Sequence, residues 1–194
     1  VLRDSFGYEW QEEFEWIDET PLGSASIAQV HRARLKTGEE VVIKVQRKGI
    51  YETMARDIGL MHKLVSLVPP ISITDMVDFK MVLNELWKVT QEEMNFINEA
   101  GNMEEFKEKN RDVAFVDTPV LFKEYTTSSV IVMEYIDGYA IDDKEHLLED
   151  GYDMNEIGSK YVDNFIKQVM DDGFFHADPH PGNVRIRDGK IVWI

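Results

Sequence analysis

Cysteine is absent from the 194 residues, which excludes disulfide frameworks, thiolate metal sites and protein-thiol redox chemistry. A reducing compartment is permitted by this, not required. Basic residues are scarce: 21 Lys and Arg stand against 37 Asp and Glu, a formal net charge of −16, which repels phosphate backbones and argues against a nucleic-acid partner. No apolar run is long enough to span a membrane, and the opening VLRDSFGYEW lacks the basic flank and apolar stretch of a signal peptide. A cytoplasmic location is expected, with any membrane contact by these residues peripheral. Internal repeats and low-complexity tracts are also missing. Glycine is missing where one motif would most use it: GSASIAQV, Gly23 to Val30, fits the spacing of a G-x-G-x-x-G-x-V phosphate loop, but Ala25 and Ala28 replace the second and third glycines.

What is present is enough apolar sequence for a substantial core, in one domain or two modest lobes. Leu22 to Leu35, a turn at Lys36-Thr37-Gly38-Glu39, and Glu40 to Gln46 read as a β-hairpin. Alternation puts Val42, Lys44 and Gln46 on one face and Val41, Ile43 and Val45 on the core face. Tyr51 to Lys109 is helical in pattern, with a break at Pro69-Pro70. Pro119 to Tyr125 and Ser129 to Ile136 read as strands, Asp137-Gly138 as a turn, and Met154 to Asp171 as a long helix ending at Gly173. The expected lobe boundary is that Asp137-Gly138 turn, giving lobes 1–136 and 137–194. After the turn Asp188-Gly189-Lys190, the segment Ile191 to Ile194 reads as a strand without a capping turn or polar tail, as expected of a cut within a longer chain.

The most informative stretch is His176-Ala177-Asp178-Pro179-His180-Pro181-Gly182-Asn183, which has the H-x-D-x-x-x-x-N spacing of a kinase catalytic loop. In such a loop Asp178 orients or deprotonates an attacking hydroxyl and Asn183 gives a hard oxygen to Mg²⁺. A rival reading makes His176, Asp178 and His180 a metal site of a hydrolase, which needs strand alternation to persist through two prolines. Lys44, in Val41-Val42-Ile43-Lys44, combines an apolar floor with a cation for nucleotide phosphates. Val89, Phe96, Met103 and Phe106 recur at helical spacing, and Glu99 falls on the same stripe. A carboxylate in an apolar stripe needs a cation, so Glu99 is predicted to pair with Lys44. Glu92 shares that stripe and Glu93 flanks it, so several acids are predicted to face the same way. Val130 to Ile136 reads as a buried strand; as a kinase hinge, Met133 would gate a back pocket while the Glu134 carbonyl and the Ile136 amide meet the adenine edge.

With Pro21-Leu22-Gly23-Ser24-Ala25-Ser26-Ile27-Ala28-Gln29-Val30-His31, Val42-Ile43-Lys44-Val45-Gln46, Asn98-Glu99-Ala100 and the His176–Asn183 loop in order, the chain resembles the UbiB family of atypical kinases, also called aarF-domain or ABC1-like kinases, over nearly its whole length. The resemblance implies an α+β, two-lobed, protein-kinase-like fold with a helical insertion at about residues 51–92, cut in the second lobe before the D-F-G-type motif. It implies ATP or ADP with Mg²⁺ as cofactors, and ATPase or unorthodox kinase activity supporting isoprenoid quinone (ubiquinone) biosynthesis, with membrane lipid or quinone-biosynthesis proteins as partners. The alternative in another class is a nucleotide-sensing pseudokinase scaffold for a membrane-associated complex. The implied catalytic residues are Asp178, Lys44 and Glu99; nucleotide would meet Gly23, Ser24, Ala25, Ser26, Val30, Val42, Lys44, Met133, Glu134 and Ile136; Asn183 would hold the metal. The family's E-x-D motif reads Glu93-Met94-Asn95, neutral at its third position. Its K-x-G-Q motif lies outside these residues, and its D-F-G-type Asp is expected just after Ile194. Alanine at 25 and 28 withholds the φ > 0 freedom of glycine, predicting a stiffer loop and slow nucleotide turnover.

Overall fold

The computed structural model describes residues 1–7, 10–67 and 78–194; the Pro69-Pro70 break lies outside them. The chain forms two compact units, Val1–Glu99 with Lys123–Val132, and Ala100–Phe122 with Met133–Ile194. This differs from a single division after residue 136: the segment 100–122 groups with the second unit, and the change in the hinge strand falls between Val132 and Met133.

The first unit contains a short helix α1 (Leu2–Phe6) and strands β1 (Phe14–Ile17), β2 (Gly23–Ser24), β3 (Ala28–Leu35) and β4 (Glu40–Gln46). Helices α2 (Ile50–Leu67), α3 (Phe79–Glu93) and the start of α4 (Phe96–Lys109) follow. Its antiparallel hairpin β3–β4 pairs Val30 with Lys44 and Arg32 with Val42, around a turn where Gly38 sits at φ 107°, a conformation glycine adopts without a Cβ clash. Val41 and Ile43 are buried, as the alternation predicts, while Val42 and Lys44 on the other face are half-buried. The run Leu22–Leu35 is two strands with a tight turn between them, not one. Helix α3 starts where the Asp78 carboxylate accepts from the amides of Lys80 and Met81.

The helical pattern does not run unbroken from Val89 to Phe106. At Met94-Asn95 the chain turns: the Asn95 side chain accepts from the Ile97 amide, capping a new helix, and the Phe96 amide donates to the Ser128 carbonyl. Phe96 becomes fully buried while Val89, on the preceding helix, stays exposed.

The second unit contains β5 (Val116–Asp117), the end of β6 (Val130–Glu134), β7 (Tyr139–Ala140), α5 (Lys144–Glu149), α6 (Met154–Lys167), β8 (Val184–Arg187) and β9 (Lys190–Trp193). Its sheet has the order β5-β9-β8-β7. The β8–β9 turn places Asp188 at φ 52° and Gly189 at φ 75°, the left-handed pair that suits the twist of a two-residue hairpin. The core gathers Phe106, Val116, Leu147, Ile157, Val184, Ile186, Ile191 and Trp193. Asp153 caps α6, which widens at Gln168–Asp172 into a π-turn and stops at Gly173, φ 61°.

Two further predicted elements differ. Pro119 to Tyr125 is not a strand: Pro119 has no amide to donate, the Val120 amide goes to the Glu134 carboxylate, and one bridge, Leu121 with Met133, is followed by a 3₁₀ turn at Lys123–Tyr125. Asp137-Gly138 is an irregular linker, not a turn. Its glycine is required by proximity, since a Cβ there would lie 2.7 Å from the Ile186 carbonyl oxygen.

Candidate active site

In the first unit the alanine loop closes through the Ala25 amide, which donates to the Ala28 carbonyl at 2.9 Å. Gly23 pairs with Val30 and Ser24 with Gln29. No residue of the loop has a positive φ, so the backbone adopted is one that alanine and serine accept without strain. A residue that the motif reading passed over secures it. The Arg47 guanidinium donates to the Ala25 carbonyl at 3.0 Å and to the Ser24 hydroxyl, while its backbone amide donates to the Ile27 carbonyl at 2.8 Å.

Lys44 and Glu99 meet. The Lys44 ammonium donates to both carboxylate oxygens of Glu99, at 2.9 and 2.7 Å, and lies 5.1 Å from the centre of the Phe96 ring. Both side chains are partly shielded, at 24% and 33% exposure, so water weakens the attraction without removing it. Glu92 and Glu93 are exposed and do not join them. Gln46 sets this register: two residues beyond Lys44 on the same strand face, its side-chain amide donates to the Met94 carbonyl at 2.6 Å, tying β4 to the helix break that brings Glu99 round.

In the second unit the His176–Asn183 loop is held by its own side chains. Asn183 Nδ2 donates to the Asp178 carbonyl at 2.9 Å and to its Oδ2 at 3.2 Å. The Asp178 carboxylate is 73% exposed. His176 accepts at Nδ1 from the Asp178 amide, 3.3 Å, so its Nε2 carries the hydrogen donated to the Ile194 carbonyl at 3.0 Å. Both His176 nitrogens are therefore engaged, and among the described residues no group of three His, Asp or Glu could hold a metal ion. This removes the geometry that the His176, Asp178 and His180 metal site would need. A Cβ at Gly182 would run into the exposed His180 ring, which would have to turn aside.

Behind the loop lies a buried amide relay that periodicity does not reveal. Asn164 accepts from Trp193 Nε1 (2.9 Å) and from Gln168 Nε2 (2.7 Å), and donates to Asn110 Oδ1 (2.7 Å). Gln168 Oε1 then accepts from the His176 amide at 3.0 Å. Tyr161 supports the far side by donating to the Pro179 carbonyl at 2.7 Å, and burial pushes its phenol pKa up. The available signal was the i, i+4 spacing of Asn164 and Gln168 among Tyr161 and Phe165.

The predicted hinge residues Met133, Glu134 and Ile136 also belong to this unit. Met133 and Ile136 are buried, and Glu134 is half-buried. The Glu134 amide donates to the Val120 carbonyl at 2.8 Å. The Glu134 carboxylate accepts from the Val120 amide at 3.1 Å and from Arg187 Nη1 at 2.5 Å. Arg187 and Lys190 each approach Asp117 at 3.7 Å.

A model of the ABC1 atypical kinase-like domain matches residues 1–194. The chain is 46% identical over 181 residues to an uncharacterized protein in the hydrogenase 1 5′ region of Clostridium pasteurianum, covering 93% of this chain and 34% of that one. It is 35% identical over 199 residues to Protein ACTIVITY OF BC1 COMPLEX KINASE 8, chloroplastic, of Arabidopsis thaliana (100% and 26%), and 35% over 187 residues to AarF domain-containing protein kinase 1 of Xenopus laevis (96% and 36%). Among solved structures, Rv3197 of Mycobacterium tuberculosis in complex with erythromycin superposes with a TM-score of 0.77 at 28% identity, covering 100% of this chain and 48% of that one. The chain thus spans roughly a quarter to a third of the length of these curated relatives.

Proposed function

The chain belongs to the ABC1 atypical kinase-like family and has its protein-kinase-like α+β fold, and we propose that in the full-length protein it binds Mg-nucleotide and serves as an ATPase or atypical kinase. The observation that carries this is the Lys44–Glu99 pair, two hydrogen bonds joining residues from a strand and a helix far apart in sequence. That pairing holds the ammonium in one place, as a lysine that is to meet nucleotide phosphates requires, and solvation of a stray lysine does not account for it. Gly23, Ser24, Ala25 and Ser26 would cover the phosphates, with Val30 and Val42 as apolar floor. Met133, the Glu134 carbonyl and the Ile136 amide would receive the base. Asp178 would orient the attacking hydroxyl or water and take its proton. The donor set fits a magnesium ion: Asn183, its Nδ2 engaged by Asp178, presents a hard amide oxygen beside an exposed carboxylate. When bound, that ion would neutralise charge on the phosphates.

The biological role proposed is support of isoprenoid quinone biosynthesis or related lipid metabolism, with membrane lipid or quinone-biosynthesis proteins as partners. Among the described residues no helix is long and apolar enough to cross a membrane, so contact by these residues would be peripheral. A second reading, a nucleotide-sensing pseudokinase scaffold, is favoured by the Arg47-tethered alanine loop, which limits closure over a terminal phosphate. Phosphate release by the full-length protein separates the two. The first reading expects turnover that Asp178→Asn abolishes while nucleotide affinity stays within about threefold, a change that removes transition-state interactions only. Nucleotide binding without turnover in the wild type would select the scaffold.

A further inference from the structure

We infer that Arg187 is a positioning residue for the nucleotide base, holding the hinge to the β8–β9 hairpin so that the groups meeting the base and the catalytic loop form one rigid piece. The inference rests on the Mg-nucleotide reading above. Along β8, Val184 and Ile186 point into the core, so Arg187 projects with Arg185 on the opposite face. The Arg187 side chain is only 23% exposed, and a shielded guanidinium demands partners. It has two: Nη1 lies 2.5 Å from the Glu134 carboxylate and Nη2 lies 3.7 Å from Asp117. The planar fork reaches both acids with separate nitrogens, which a lysine cannot do.

Glu134 is thereby fixed from three directions. Its amide bonds to the Val120 carbonyl, one carboxylate oxygen takes the Val120 amide and the other takes Arg187. The backbone amide and the carboxylate of Glu134 are thus both held, which fixes the Cα from which the carbonyl that would face the base extends. Four residues further on, the backbone of Gly138 lies against the same arginine: a Cβ there would be 3.3 Å from Arg187 Cβ as well as 2.7 Å from the Ile186 carbonyl. Tyr139 and Ala140 then pair with Ile186 and Arg185. The hinge is thus docked on either side of residues 135–137 onto a hairpin that follows Asn183 and returns to it through the Ile194 amide, which donates to the Asn183 carbonyl at 2.9 Å.

The test is calorimetric titration of Mg-ATP and Mg-GTP into the full-length protein, with steady-state turnover of both. The wild type should prefer ATP. Arg187→Ala should weaken ATP about tenfold and GTP much less, collapsing the preference, while kcat stays within about twofold, because the arginine sets binding geometry rather than chemistry. Arg187→Lys should recover part of the preference, through Glu134 alone, and it carries the test if Arg187→Ala does not fold. An unchanged ATP-to-GTP ratio in the folded variants would overturn the inference, as would a wild type that binds both nucleotides equally. A wild type that binds neither would instead strike the Mg-nucleotide reading, and the inference with it.

Discussion

The two units hold their chemistry in opposite ways. In the first, a partly shielded ion pair, Lys44 with Glu99, is brought together by the Gln46 side chain and the Ser128 carbonyl, which hold the backbone at Met94 and Phe96. In the second, an exposed loop around Asp178 rests on a buried chain of neutral amides, Asn110, Asn164 and Gln168. An ion pair in partial contact with water adds little to stability, whereas each buried amide that loses its partner carries the full cost of desolvation. The first site should therefore be easy to disable without harm to the fold, and the second should not.

The comparison breaks most visibly at Asn164. Asn164→Leu leaves the Trp193 indole, Gln168 and Asn110 short of partners in a dry core, and should lower unfolding free energy by about 3 kcal/mol or more, measured by denaturant titration. Next in size is Gly138→Ala, where the new methyl group meets the Ile186 carbonyl and the linker must shift, a loss on the order of 1–3 kcal/mol in the same assay. Glu99→Gln should change stability by less than about 1 kcal/mol yet reduce turnover by about 10²-fold, since the amide no longer holds the ammonium in place. A stability loss there matching that of Asn164→Leu would erase the contrast between the units.

The smallest effect is one of pH. The hydrogen bond and charge of Asp143 raise the His146 pKa, and the same hydrogen bond lowers that of Asp143. A raised folded value means that the histidine's contribution is full below its unfolded pKa, about 6.5, and fades as pH rises through the folded value. The carboxylate's contribution is present above its unfolded value and fades as pH falls through its lowered folded one. Following the His146 ring protons by NMR should show the midpoint dropping in Asp143→Asn.

Much of the site could be read from the sequence because its parts are local in pattern. Phe96, Glu99, Met103 and Phe106 share one helix, so the phase of Glu99 came out correctly even though Val89 belongs to the helix before the Asn95 break. The His176–Asn183 loop is a contiguous string whose internal bonds span five residues or fewer, with outside bonds to Tyr161, Gln168 and Ile194. What remained hidden depends on distant partners. Asn110 and Asn164 look like surface residues until Trp193 is beside them. In a chain with 37 acids, nothing in the order of residues marks Glu134 as the one that Arg187 requires. Pro119 to Tyr125 has strand-like composition, but the capture of the Val120 amide by a side chain ends the ladder before it extends.

The Arg47 tether bears on when the alanine loop loses its freedom. A glycine-rich loop keeps its backbone entropy until a ligand arrives and then surrenders it, about 1–2 kcal/mol for each residue that becomes fixed. Here Ala25 and Ala28 have fewer conformations to lose, and the bonds from Arg47 to Ser24, Ala25 and Ile27 take up that loss when the chain folds. A nucleotide would then meet a surface whose shape precedes it, and its release would not have to wait for the loop to melt.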